Sequence, residues 1–174
     1  MGWIKDIFDI FTAMIRSDIS DRETFFDKHV EPLYEKLTQI HKDYIIGLQD
    51  VRAKIKSGSF TNEELISFIR DRRREYGLER QLTYALANEL SSAESMRFSG
   101  NIGSSVEEYC HAICGYFLAS RVGKIGDTHY SEMISLLEAK QEISEHIDII
   151  IEKRLPQAFN EVTSAYAKLK VGLL

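Results

Sequence analysis

Five histidines, two cysteines and a run of arginines are the side chains here whose types and spacing could do chemistry. Glu108 and His111 form a Glu-x-x-His pair, the spacing that holds paired metals inside helical bundles. On a helical wheel both turn away from the stripe of Val106, Ile113 and Phe117, and the motif occurs once. A surface pair is the preferred reading. Cys110, His111 and Cys114 look like ligands, but the thiols share an apolar face and the imidazole does not. Zinc needs four converging donors, and the chain has no second cysteine cluster. Buried, reduced cysteines are expected, and no metal or cofactor is assigned.

His41 and His29 border the stripe of the longest predicted helix, where either could titrate near neutrality. A hydrogen-bonded histidine at a core margin is the simpler role. "SGNIGSS" resembles a loop that cradles an anion, but Glu107 and Glu108 in the following turn would repel a phosphate. Serine nucleophile motifs, Walker loops and dinucleotide fingerprints are absent. No catalytic residue is assigned.

Two polar groups remain. In "RDRRREYG", Arg70, Arg72, Arg73 and Arg74 concentrate positive charge, with Arg80, Lys54 and Lys56 close in sequence. Arg72 and Arg73 fall on the side of Ile69 and Tyr76, so they must pair or project past the packed bundle. Ion pairing with Asp71, Glu75 and Glu79 is preferred over an anion-binding surface. Lys140, Gln141 and Ser144 interrupt the stripe of the last predicted helix. They are expected to form a polar layer with Tyr44, which would fix helix register or line a ligand cleft.

The elements that must position these residues are all helical. Phe26, Val30, Leu33, Leu37, Ile40, Tyr44, Leu48, Val51 and Ile55 recur every three or four residues, which predicts one long rod. Ser20 and Glu23 form a capping box at its start, Gly58 stops it, and Pro32 should kink it. Thr61 and Glu64 cap a second helix, with Phe60 placed to staple onto Leu65 and a break at Gly77. Leu78, Leu82, Leu86 and Leu90 then form a separate stripe. Residues 91–104 read as a loop. Ser105 and Glu108 should open the next helix, and "GKIGD" should end it. A last helix is predicted from Asp127 or Thr128 to about Leu169, with a kink at Pro156. If the two long rods pair antiparallel, both prolines are expected at one level.

The predicted fold is therefore an all-α antiparallel bundle built on two long kinked helices plus shorter ones. Residues 1–174 form one domain, and 1–17 an amphipathic helix that can sit at its periphery. In that segment Trp3, Ile4, Ile7, Phe8, Ile10, Phe11, Met14 and Ile15 cover one side of the wheel. Its polar side balances two acids with two bases, unlike lysine-rich helices that lie on anionic membranes. Trp3, Ile7, Phe8, Phe11 and Met14 are therefore the expected interaction surface, toward the bundle itself, a second copy or another protein. Membrane contact is not favoured.

With 44% hydrophobic and 28% charged residues, the chain can bury an ordinary core without disulfides or metal. A net charge of −5 disfavours nucleic acid and anionic lipid. Few cysteines, no apolar run near 20 residues and no leader-like start predict a soluble cytoplasmic protein. The expected function is non-catalytic protein interaction or scaffolding, with a homodimer or another protein as partner. The alternative is a bundle binding a small molecule or anion, in the extreme an enzyme, at the arginines or the polar layer.

Overall fold

A computed structural model describes residues 22–75, 77–94, 100–118 and 128–174. The expected capping box at Ser20 and the whole 1–17 segment lie outside these residues. The described chain is all-α, with no strand among its residues. Helix α1 comprises Arg22–Phe25, a π-helical turn at Phe26–Val30 and Glu31–Ser57. The others are α2 (Asn62–Glu75), α3 (Gly77–Glu94), α4 (Asn101–Leu118) and α5 (Thr128–Glu138). Helix α6 joins Ser144–Ile149, a second π-helical turn at Ile150–Arg154, and Leu155–Leu173.

The periodic stripe of α1 faces inward. Leu33, Leu37, Ile40, Tyr44, Leu48 and Val51 are all buried. Gly58 ends the helix with φ of 63°, a left-handed cap that costs glycine little, and its N–H donates to the Ile55 carbonyl. At α2, the Thr61 N–H donates to Glu64 Oε2 at 2.8 Å, while the Glu64 N–H donates to Thr61 Oγ1 at 3.3 Å. This reciprocal pair satisfies two amides that the first turn leaves without helical acceptors. Phe60 is 38% exposed, with the Lys54 ammonium 4.0 Å above its ring.

Both prolines follow directly on a π-helical turn. The Glu31 N–H donates to the Phe26 carbonyl and the Leu155 N–H to that of Ile150, each reaching five residues back. A proline ring clashes with the carbonyl four residues earlier in a regular helix, and the wider turn relieves that crowding.

Helices α1 and α6 meet through aromatic stacks. Tyr34 lies 3.9 Å from Tyr166 at 8°, and His41 lies 4.1 Å from Phe159 at 6°. Farther along, Arg52 Nη1 is 3.0 Å from Asp148 Oδ1. Partner numbers fall as α1 advances, so the two helices run in opposite directions. This register puts Pro156 level with Tyr44 and Pro32 level with Lys168. The shared proline level expected from sequence is wrong by about three turns, because ring stacking sets the register.

The last predicted helix is two helices. Lys140 takes φ of 56°, its N–H donates to the Leu137 carbonyl, and the Gln141 N–H donates to that of Leu136. Those two bonds make a Schellman stop with lysine in the position usually held by glycine. Another sequence reading also fails. Helix α4 begins at Asn101, so Ser105 is not its cap; Ser105 Oγ donates to the Asn101 carbonyl at 2.9 Å.

Candidate functional site

The expected polar layer does not assemble. Lys140 and Gln141 are exposed in the stop after α5, and Ser144 is half-buried at the start of α6. Tyr44 is instead enclosed by residues of α3 and α5. Its ring stacks on Tyr130 at 5.0 Å, meets His129 edge-on at 6.2 Å, and lies 5.0 Å from the Arg80 guanidinium. Arg80 is 1% exposed and also sits 5.7 Å from the Tyr130 ring. Its Nη2 donates to the Arg73 carbonyl at 2.6 Å, capping the C-terminal end of α2. Gly47 completes the seat, since a Cβ there would lie 2.6 Å from the Tyr130 hydroxyl. The guanidinium is thus held by a carbonyl and two ring faces, an arrangement that locks helices together.

His41, His29 and His129 are set into the packing of the helices. His41 Nδ1 lies 3.0 Å from the Tyr116 hydroxyl, and burial holds its pKa below the usual histidine range. Burial pushes the Tyr116 phenol up, and likewise that of Tyr109, whose hydroxyl donates to the Val30 carbonyl at 3.1 Å. His29 is buried beside Phe25 in the first π-helical turn. His129 is 4% exposed, and its Nδ1 has no hydrogen-bond partner among the described residues. Burial lowers its pKa to about 4, so its ring is neutral at pH 7.

Arg70, Arg72 and Arg74 are placed in ion pairs. Arg72 Nη2 lies 2.7 Å from Asp50 and its Nη1 2.9 Å from Glu75; the hydrogen bond to Glu75 raises its pKa. Arg70 bonds Glu138 at 2.9 Å, and Arg74 is 3.8 Å from Asp71. Arg70, Arg73 and Arg74 also line a surface depression of about 430 Å³ with Gly77, Leu78 and Gln81. They stand in the last turns of α2, where the negative end of the helix dipole already favours cations.

Glu108 pairs with Lys168 across α4 and α6, and His111 is exposed. Cys110 is buried and Cys114 half-buried, and burial raises the Cys114 pKa. Both are thiols. Among the described residues, no group of three or more His, Cys, Asp or Glu is placed to hold a metal. No described helix is long and apolar enough to cross a membrane.

The feature that sequence reasoning missed lies on α3. The expected stripe of Leu78, Leu82, Leu86 and Leu90 holds only at its C-terminal end, where Leu90 is buried and Leu86 packs against the core. Arg80, Thr83, Ala87 and Leu90 are buried, whereas Leu78 is 46% exposed. Leu82 and Ala85 are half-buried and lie outside the described core cluster; Leu86 packs against its edge. At 100° per residue, Leu78, Leu82 and Ala85 share an arc of about 60°, roughly 150° from the buried set. Leucines outweighed an arginine and a threonine in the hydrophobic pattern. The telling signal was that Ala87 and Leu90 repeat with Thr83 and Arg80. The result is a helix with Leu78 exposed and Leu82 and Ala85 half-buried on the side away from Arg80 and Thr83.

No protein-family model matches the chain, and no curated protein or solved structure matches it.

Proposed function

We propose that this chain is a non-catalytic interaction module whose α3 presents Leu78, Leu82 and Ala85 to an amphipathic helix of a protein partner, a second copy in the simplest case. The observation that carries the reading is the 46% exposure of Leu78, with the half-buried Leu82 and Ala85 on the same side of the helix. The polar groups near it support the same reading: Arg80 caps α2 and packs on rings, Arg70 and Arg72 are in ion pairs, and His129 is buried. The segment bearing Trp3, Ile7, Phe8, Phe11 and Met14 supplies the complementary kind of surface. The two thiols suit a reducing, cytoplasmic setting.

Light scattering and peptide binding test this. A chain beginning at Asp18 should self-associate, or bind a synthetic peptide of residues 1–17, and Leu78→Asp with Leu82→Asp should abolish both. A shortened chain that stays folded and monomeric and ignores the peptide removes the proposal.

A further inference from the structure

The geometry points to a binding site for the phosphate group of a small phosphate monoester, in the depression that Arg70, Arg73 and Arg74 line where α2 meets α3. This is a function separate from the docking of α3. The three arginines stand three and four residues apart, so α2 carries them on one face, where like charges repel one another. Gly77, Leu78 and Gln81, from the start of α3, complete the lining, and among the described residues no acidic one belongs to it. A Cβ at Gly77 would meet nothing within 4 Å, so the space beside the arginines is open. Its volume of about 430 Å³ falls within the range of small-ligand pockets, roughly 300–1,000 Å³.

Carboxylates lie nearby, but each is committed elsewhere or held loosely. Glu75 bonds Arg72 at 2.9 Å. Glu138 meets Arg70 at 2.9 Å with both side chains about half exposed, and Asp71 stays 3.8 Å from Arg74, beyond hydrogen-bond reach. Exposed pairs of this kind are worth little, so a more highly charged anion can replace them. A phosphate monoester is such an anion. It carries about 1.5 to 2 negative charges at pH 7 and presents three strong acceptor oxygens. The planar guanidinium fork matches phosphate in a bidentate manner, and three oxygens can serve several forks at once. The C-terminal end of α2 would oppose an anion, but it is partly covered, since Arg80 Nη2 donates to the Arg73 carbonyl at 2.6 Å. Leu78, 46% exposed in the same lining, offers an apolar rest for the organic part of the ester, and the Gln81 amide a neutral hydrogen-bonding group.

Calorimetric titration of the full chain at low salt tests this, with phenyl phosphate and inorganic phosphate as probes. Phenyl phosphate should bind saturably and more tightly than inorganic phosphate, because its ring reaches Leu78, and sodium chloride should weaken both. Arg70→Gln with Arg74→Gln should lower the affinity about tenfold or more, the worth of a lost charge-assisted hydrogen bond. Both side chains are exposed, so far-UV circular dichroism should not change. If that pair disturbs the fold, Gly77→Asp takes its place. A carboxylate at the start of α3 suits the helix dipole and meets open space, yet it should block the depression, whereas Gly77→Asn should keep binding. Vesicles of phosphatidylcholine with and without phosphatidic acid separate the two sources of the ester. Binding only to vesicles with phosphatidic acid assigns the site to a lipid headgroup, and binding of phenyl phosphate assigns it to a soluble ester; in either case the substitutions must weaken it. No saturable binding to any probe, or binding that Arg70→Gln, Arg74→Gln and Gly77→Asp leave unchanged, overturns the proposal. So does inorganic phosphate binding as tightly as phenyl phosphate, because no ester is then recognised.

Discussion

His129 shows how one buried side chain couples this fold to acid. Its neighbours are the Tyr44 edge on one side and the Glu132, His146 and Arg154 group on the other. Glu132 already receives Arg154 at 3.1 Å, so its charge is largely committed to that guanidinium. Above about pH 6.5, His129 is neutral whether the chain is folded or not. As pH falls from there toward 4, the unfolded chain takes up a proton that the folded one refuses, and stability declines. Below about 4 both states hold it, and the loss levels off. The decline attributable to this ring should be roughly 2–3 kcal/mol between pH 7 and 4.5. Urea melts at both pH values should show His129→Phe losing correspondingly less than the unaltered protein; equal losses would mean that the ring is not the acid-sensitive group. Sequence alone could not single this residue out. It follows the "GKIGD" stop, whereas attention went to His41 and His29 beside the longest stripe.

At the scale of elements, legibility followed the chemistry of the signal. The Thr61–Glu64 box and the α1 stripe were readable because each depends on residues a few positions apart. The end of α5 was not, because a lysine occupies a left-handed position where glycine or asparagine is the usual sign. The inward side of α3 was hidden for a different reason. Its core positions include Arg80 and Thr83, whose burial is tolerated because each has a partner that hydrophobic patterning does not register. Thr83 Oγ1 donates to the Glu79 carbonyl at 2.8 Å, and Arg80 reaches Arg73 and two rings. Thermal or denaturant melts can check the assignment of sides. Leu90→Ala should cost about 2–5 kcal/mol, as expected for a filled core site. Leu82→Ala should cost under about 1 kcal/mol. The reverse order would show that the side bearing Leu82, and not that bearing Leu90, is the true core face.

For the molecule as a whole, apolar packing and ring stacks carry the assembly, and apart from the buried Arg80 the ion pairs linking described residues are partly exposed. Lys36–Glu79, Arg70–Glu138 and Lys168–Glu108 all remain substantially open to solvent. Exposed pairs of this kind contribute little and are screened by salt. Raising sodium chloride to about 1 M, where the screening length is near 3 Å, should therefore shift Tm by only a few degrees. A fall of tens of degrees would mean that ion pairs hold the helices together. The stacks joining α1 to α6 have a further consequence for how the protein is made. The two helices are separated by about half of the sequence, so at a ribosomal pace of about 5–20 residues per second α1 waits on the order of ten seconds for its mate. During that interval its oily seam is exposed to every chaperone and nascent neighbour in reach, and its native partner emerges only after helices α2 to α5.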